Sequence, residues 1–259
     1  MRKVVTCYKW VIDEADIKVD EMTRELKMKN PAYKISPYDR NAIEAGVQIA
    51  EKSDGLSVVL TAGTELVRKS RKDVLSSGPK EGYAVIDPDM EEADSLVTAS
   101  VLGSALKKMG DVDIVLCGEG SGDVYAQQVG PRIAAFLGWP VISYAEKIEV
   151  QDDRVIVQRT VTEGVEVIEA TLPVVITVAG DSNTPRVPTL KMVMEAGKKP
   201  FIEWYPTDVG VTSDTLKPGL KKLKVIGNIA DRKQMMMEGD VEKAVDETVR
   251  RLIQDGVLS

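Results

Sequence analysis

The residues best suited to chemistry in this sequence lie in one glycine-rich stretch, residues 111–137. A short apolar run at 114–117 predicts a buried strand. Three glycines follow at alternate positions, and apolar residues then recur at helical spacing from 126 to 137. Backbone N–H groups at a helix start are unpaired and favour an anion, and glycines let the backbone approach it closely. We therefore expect this loop to hold the phosphate of an adenine nucleotide.

The spacing of these glycines does not by itself identify a ligand. It is G-x-G-x-G-D, with Asp123 at the position where a dinucleotide-binding fingerprint has its third glycine. The G-x-x-x-x-G-K-[ST] pattern of a P-loop does not occur in the chain. From the spacing alone, a tight strand-to-helix turn without a ligand stays open as an alternative.

The composition narrows the class of protein. The chain has 259 residues, of which 43% are hydrophobic and 29% are charged, a balance typical of globular proteins. Its net charge of -7 argues against general nucleic-acid binding, because no surplus of basic residues can neutralise phosphates. No apolar run approaches the length of a membrane span, and the N-terminal residues lack a signal-peptide core. We expect a cytoplasmic protein.

Residue types that many catalytic sites require are absent. The chain has no histidine, which removes the commonest general base and the commonest metal ligand. Its two cysteines, Cys7 and Cys117, are far apart in sequence and form no C-x-x-C motif, so we expect no zinc or iron–sulfur site. Both thiols are predicted to be small buried hydrophobes. We therefore expect neither a catalytic residue nor a metal site in this chain.

The order of the predicted elements indicates an α/β fold. Up to residue 140, short β-branched runs alternate with helical patterns, which predicts a mainly parallel sheet with helices on both faces. Ser36 as N-cap and Pro37 as first helical residue mark one helix start, and Asp94 caps another helix. The predicted strands are 3–8, 56–60, 83–86 and 114–117, and the predicted helices include 37–52, 65–75 and 126–137.

Ligands of such sheets bind beyond the carboxyl ends of the strands. The loops that follow three of the predicted strands are 7–11, 62–64 and 118–123. We expect these loops to converge on one crevice. Their convergence supports a nucleotide site more strongly than a single glycine-rich loop does.

The sequence changes in character after residue 140. Four β segments are predicted at 147–150, 155–158, 165–170 and 174–178, followed by a loop with prolines and a short helix at 192–197. No core pattern persists from 201 to 224, and a terminal helix is predicted at 241–252. We expect an α/β domain at 1–200, with added β segments and the loop near 181–197, and a C-terminal arm at 201–259 that packs on a partner.

Short motifs between residues 5 and 200 occur in the order of one known family. They are VTCYK at 5–9, DE at 13–14, DI at 16–17, ISPYD at 35–39, NAIEA at 41–45, RKDVL at 71–75, LCG at 116–118, YAQQVG at 125–130, PTLK at 188–191 and KKP at 198–200. With these motifs the chain resembles the β subunit of an electron transfer flavoprotein, close to its FixA-like branch.

The resemblance implies a fold of the adenine nucleotide α-hydrolase-like type and a heterodimer. An α subunit would hold the redox-active FAD, while this chain would bind AMP or a second FAD. The nucleotide contacts of the family would fall on Cys7, Lys9, Ser36, Pro37, Tyr38, Asp39, Ala62, Gly118, Gly122, Asp123, Val124, Tyr125, Ala126, Gln127, Gln128, Val129 and Gly130.

The resemblance also implies partners. The terminal arm would pack on the α subunit, and Leu190 would match the leucine with which the family docks on an acyl-CoA dehydrogenase-like or quinone-reductase-like redox partner. We include Arg186 among the docking residues. We expect Asp39 to orient a loop or to contact ribose, because two anions repel and the phosphate would rather meet amides after Gly122.

The chain departs from the electron-bifurcating members of the family. Where those members carry D-G-D-T, this chain has Asp123-Val124-Tyr125-Ala126, so the sequence leaves AMP and a second FAD both open. Two other functions are alternatives. An enzyme of the ATP-pyrophosphatase type would share the fold, but its S-G-G-x-D-S pattern is absent. A homodimeric stress-type nucleotide-binding module would have no place for the long arm.

Overall fold

Seven parallel strands form the central sheet in a computed structural model that describes residues 1–229, 234–237 and 239–258. The strands are β1 Lys3–Cys7, β2 Trp10–Ile12, β3 Lys18–Val19, β4 Leu26–Lys27, β5 Tyr33–Ile35, β6 Leu56–Gly63, β7 Glu81–Ile86, β8 Ile114–Gly118, β9 Val141–Ala145, β10 Lys147–Gln151, β11 Arg154–Val161, β12 Gly164–Thr171, β13 Val174–Val178 and β14 Phe201–Trp204. The α-helices are α1 Pro37–Lys52, α2 Arg71–Ser76, α3 Ser95–Met109, α4 Val129–Leu137, α5 Leu190–Ala196 and α6 Val241–Gln254.

The strand order places a topological switch point at the centre of the sheet. The order is β14-β7-β6-β1-β8-β13-β9, and every neighbouring pair is parallel. From β1 the chain proceeds to β6 on one side and later to β8 on the other, so the crevice between β1 and β8 opens where the order reverses. The predicted α/β fold with a mainly parallel sheet is confirmed.

Both faces of the central strands are buried, which explains their apolar, β-branched sequences. Strand β13, VVITV, is buried at every position. The side chains of Val5 and Val115 pack on one face with those of α3 and α4, while Val4 packs on the other face, which α1 covers. The helices therefore cover both faces of the sheet, as the alternating pattern predicts.

The start of α4 differs from the prediction. The sequence places it at 126, but the helix begins at Val129. Tyr125 and Gln127 have left-handed backbones, with φ of 49° and 57°, and such residues cannot belong to a right-handed helix. The cap of α3 is as predicted, because Asp94 accepts hydrogen bonds from the backbone N–H groups of Leu96 and Val97, at 2.9 Å each.

The two edge strands of the sheet, β9 and β14, are absent from the prediction. Strand β14 pairs with β7, and the segment after it contributes the buried side chains of Val209, Val211 and Leu216 to the core. The compact unit that contains the sheet thus continues to Lys224, whereas the sequence suggests a body that ends near 200.

Two further elements differ in detail from their predictions. The helix predicted at 65–75 consists of a 3-10 helix, Glu65–Ser70, followed by α2. Strand β6 runs on to Gly63, so Ala62 belongs to a strand and not to a loop. Beside the central sheet, β10, β11 and β12 form the predicted β segments as an antiparallel sheet of three strands.

A second unit combines Val19–Lys27 with Val225–Ser259. It contains α6, which covers the predicted terminal helix and buries none of its residues. Residues 230–233, 238 and 259 of the predicted arm lie outside the described residues. None of the described helices combines the length and the apolar character that a bilayer-spanning segment needs.

We expect Gly130→Ala to lower the free energy of unfolding by about 1–3 kcal/mol, because overpacking a tight contact costs roughly that amount. A Cβ on Gly130 would lie 2.5 Å from Cγ2 of Thr177, where α4 packs on β13. The control is Gly197→Ala, whose Cβ would meet nothing closer than 3.8 Å. Urea unfolding measures both variants, and equal midpoints would contradict the tight α4–β13 contact.

Candidate functional site

One buried carboxylate joins the loops at the switch point. Asp39, the third residue of α1, is 6% exposed. Its Oδ2 accepts a hydrogen bond from the backbone N–H of Lys9 at 2.8 Å, and its Oδ1 accepts one from Gly118 at 3.1 Å. Lys9 follows β1 and Gly118 ends β8, so Asp39 fixes both loops to the start of α1.

The electrostatics of Asp39 agree with an orienting role. Burial raises the pKa of its carboxyl to about 7, against the opposing effect of the hydrogen bonds from Lys9 and Gly118. Both carboxylate oxygens are occupied by amides of this chain. Asp39 therefore joins the two loops through these two hydrogen bonds.

The close approach of Asp39 explains the glycine at position 118. A Cβ on Gly118 would lie 2.6 Å from Oδ1 of Asp39 and 2.8 Å from the carbonyl carbon of Tyr38. Any larger residue would therefore push β8 away from α1 at the mouth of the crevice.

Ser36 is the N-cap residue of α1, as predicted, but its hydroxyl bonds to another loop. Its side chain makes no capping hydrogen bond. Its Oγ instead accepts a hydrogen bond from the backbone N–H of Gly122 at 3.3 Å, and its own N–H donates to the carbonyl of Lys9 at 3.0 Å. The hydroxyl thus ties the glycine-rich loop to α1. Pro37, at the first helical position as predicted, needs no such cap for its own missing N–H.

An ion pair joins the loop after β1 to the glycine-rich loop after β8. Lys9 Nζ lies 2.6 Å from Oδ2 of Asp123, and both side chains are partly exposed. Burial would raise the pKa of Asp123, but the charge and hydrogen bond of Lys9 outweigh it and hold the pKa below its usual value. A pair with this exposure stabilises the fold by at most about 1 kcal/mol. Its importance is positional, because it brings a cation to the glycine-rich loop.

Two tyrosines line another side of the loop. The ring centroids of Tyr38 and Tyr125 are 5.0 Å apart, and the Tyr125 hydroxyl donates to Oε1 of Glu119 at 2.7 Å. This hydrogen bond to a carboxylate raises the pKa of Tyr125 to about 12. The Tyr125 ring covers the Cα of Gly120, where a Cβ would collide with it. Val124 is exposed beside this pair.

The backbone around the start of α4 offers unpaired donors. Within the part of the chain that the structure describes, the N–H groups of residues 126–130, Ala126 to Gly130, donate no hydrogen bond. Oε1 of Gln128 accepts from Nε and Nη2 of Arg132, at 3.0 and 2.7 Å, and from the Ser95 hydroxyl at 3.0 Å. Unpaired amides at a helix start are chemically suited to a phosphate. Two cations belong to the same region: Arg132 lies in the first turn of α4, and Lys9 is ion-paired with Asp123 in the loop before it. Arg132 is absent from the predicted contacts, although its position in the helix predicted after the glycine-rich loop could have indicated it.

Two further predicted nucleotide contacts, Cys7 and Ala62, lie on strands of the central sheet. Cys7 and Cys117 are free and buried, as predicted, on neighbouring strands, and both belong to the core on the α3 side of the sheet. The hydrogen bond with Cys7 and burial raise the pKa of the Cys117 thiol well above its usual value. Ala62 lies at the same edge of the sheet, two residues beyond Leu60, which pairs with Cys7.

The structure separates the two predicted docking residues. Leu190 begins α5 and is 77% exposed, and Met194, one turn later, is 68% exposed. Arg186 is turned away to Glu44 and Glu51, with N–O distances of 2.8 Å. Met194 is absent from the predicted docking residues, although its i, i+4 spacing from Leu190 places both side chains on one face of α5.

A scan against protein-family models matches the electron transfer flavoprotein domain to residues 26–209. The match covers most of the chain, including Asp39, Gly118 and the segment that carries Leu190. The chain belongs to the electron transfer flavoprotein family. This membership confirms the resemblance at the level of the family and associates the protein with flavin-dependent electron transfer.

We expect Asp39→Asn to change the pH dependence of stability. The folded pKa of about 7 lies above the unfolded value of about 3.9, so the contribution of Asp39 is complete below about pH 4 and is lost as the pH rises through about 7. Between those values the free energy of unfolding of the unmodified chain should therefore fall more steeply than that of the variant. Urea unfolding across this range measures both slopes. The control, Asp214→Asn, removes an exposed carboxylate; parallel slopes for all three proteins would contradict the raised pKa.

Proposed function

We propose that this chain is the nucleotide-binding, β-type subunit of a heterodimeric electron transfer flavoprotein. It would bind an adenine nucleotide and relay electrons between flavin-containing partners without catalysing bond chemistry of its own. The observation that carries the proposal is the arrangement at the switch point. Asp39 holds the loops after β1 and β8 together, and unpaired amides lie at the start of α4 beyond them.

The nucleotide would be AMP or a second FAD. Its phosphate would meet the amides of 126–130, with positive charge from Lys9 and Arg132, while Ser36 keeps the loop at Gly122 close to α1. The side-chain NH₂ of Gln127 or Gln128 would add a donor. Tyr38 and Tyr125 offer aromatic faces to a ring system. The flavin of the complex supplies the redox chemistry.

The exposed face of α6 supports a partner subunit. Val241, Val245, Val249 and Ile253 recur every four residues on one side of this helix and are 42–75% exposed. An apolar stripe of this kind, on a helix that buries none of its own residues, is typical of a surface that another chain covers. We assign this stripe to the α subunit that holds FAD.

Docking to the redox partner would use Leu190. The partner would be an acyl-CoA dehydrogenase-like or quinone-reductase-like protein, met in a transient contact of the kind that electron carriers form. Two free cysteines and no disulfide among the described residues support a location in the reducing cytoplasm. Membership in the electron transfer flavoprotein family favours this electron-carrier hypothesis over the ATP-pyrophosphatase and stress-type alternatives.

We expect the purified heterodimer to release either one FAD and one AMP, or two FAD, when it is denatured. Mass spectrometry of the released nucleotides identifies them.

Gly118→Ala should lower the nucleotide content of this subunit, because the added methyl would displace Asp39, and should leave the FAD of the α subunit in place. Gly197→Ala is the matched control. A heterodimer that releases only the α-subunit FAD would contradict the proposed crevice.

We expect Leu190→Ala to raise the KM for the redox partner about tenfold, since a central apolar anchor of a small interface contributes on the order of 1.4 kcal/mol or more. Nucleotide content should not change, because Leu190 lies outside the loops of the crevice. Stopped-flow or steady-state electron transfer measures the effect. Val167→Ala, which truncates a residue of similar exposure on β12, is the control. An unchanged KM for Leu190→Ala would remove the docking role.

A further inference from the structure

Arg186 is bound by two carboxylates of α1. Its Nε and Nη2 donate to the two oxygens of Glu44, at 2.8 and 3.1 Å, and its Nη1 and Nη2 donate to the two oxygens of Glu51, at 2.8 and 3.1 Å. The backbone N–H of Arg186 also donates to Glu44, at 3.1 Å. The guanidinium is therefore paired on both sides and has little capacity left for another protein.

The residues just before Arg186 are attached to the same helix. Nδ2 of Asn41 donates to the carbonyl of Asn183 at 2.6 Å, and Nδ2 of Asn183 donates to the carbonyl of Asn41 at 3.0 Å. Residues 41, 44 and 51 lie on one face of α1, because they are spaced by three and seven positions. The backbone of 183–186 therefore contacts α1 at residues 41 and 44, about one turn apart, and the Arg186 guanidinium extends these contacts to residue 51.

The Glu44 pair is more buried than an ordinary surface ion pair. The Glu44 side chain is 5% exposed, whereas that of Glu51 is 59% exposed. Burial would raise the pKa of Glu44, but hydrogen bonds from Arg186 and Gln48 outweigh it and hold the pKa below its usual value. Bidentate, charge-assisted hydrogen bonds fix geometry as well as energy, and removing one partner leaves a buried charge.

The segment that follows is held at its far end too. Lys199 Nζ donates to the carbonyls of Leu75 and Pro79, at 2.7 and 2.6 Å, so the chain after α5 is fixed to the region of α2. Thr189 caps α5 through a hydrogen bond from Met192 N–H to its Oγ1 at 3.3 Å. The exposed Leu190 thus lies on a short stretch that is attached on both sides.

We propose that Arg186 is a positioning residue for docking: together with Glu44 and Glu51 it fixes the loop before α5 to α1, in the conformation that presents Leu190. The proposal rests on the proposed docking function of Leu190. It replaces a direct contact between Arg186 and the redox partner. The benefit is preorganisation, since a loop that is ordered before the encounter loses less conformational entropy on binding.

The test uses the complete heterodimer with its redox partner. We expect Arg186→Ala to raise the KM for the partner about tenfold, with kcat and nucleotide content unchanged, and to speed amide hydrogen exchange in 183–195. Arg186→Lys should recover part of the KM, because an ammonium keeps the charge but cannot bridge two carboxylates. Glu51→Gln removes only the exposed ion pair and keeps the buried pair of Arg186 with Glu44, so we expect the fold to be retained. This variant should raise the KM about twofold. The control is Arg154→Ala, which breaks the pair with Glu169 on β11 and β12.

Either of two results for Arg186→Ala alone would overturn the proposal. Faster amide hydrogen exchange in 183–195 with an unchanged KM would show that the ion pairs of Arg186 with Glu44 and Glu51 do not serve docking. A raised KM with unchanged exchange would show that Arg186 contacts the partner directly. Leu190→Ala separates this proposal from the function on which it rests. If Leu190→Ala leaves the KM unchanged while Arg186→Ala raises it, the docking surface lies elsewhere on the loop that Arg186 holds against α1. The proposal in its present form is then wrong.

Discussion

The buried carboxylate of Asp39 is the interaction on which the arrangement of the site depends. A carboxylate taken out of water is costly unless hydrogen bonds replace its hydration. Here two backbone amides, from the ends of β1 and β8, provide that replacement. Because each amide belongs to a different loop, the cost of burial is offset only when both loops lie against α1. Burial still outweighs these two hydrogen bonds, because the pKa of the Asp39 carboxyl is raised to about 7.

Helix α1 connects the two regions that the proposed function needs. Its first turn carries Asp39 and the Ser36 cap position, which order the crevice, and Glu44 and Glu51 hold Arg186 farther along. Asp39 and Glu44 are five residues apart, or about 7.5 Å along a helix axis. A single rigid helix, packed on the sheet by the apolar residues between these acids, therefore fixes where the docking loop lies relative to the crevice.

The sequence was sufficient for the centre of the fold and insufficient for its edges. The run VVITV in β13 is buried on both faces, and such a continuous apolar, β-branched run predicts a strand. Strand β9 is exposed or half-exposed at three of five positions, so its sequence shows no clear hydrophobic periodicity. The start of α4 was misplaced because propensity does not reveal the left-handed backbone of Tyr125 and Gln127. Ser36 is at the predicted N-cap position, but the partner of its hydroxyl, the N–H of Gly122, lies in a loop 86 residues away, which a local rule for capping does not reveal.

Arg186 illustrates the same limit for function. A basic residue four positions before a docking leucine suggests a partner contact, and only the fold shows that Glu44 and Glu51 face it. A buried ion pair of this kind adds little net stability compared with a well-packed apolar pair, because desolvation consumes most of the Coulomb gain. Its advantage is conformational: bidentate geometry permits one position of the loop where an apolar contact would permit several. In the proposed function, where contact with the redox partner is brief, holding the loop in one conformation before contact matters more than the stability that the ion pair adds.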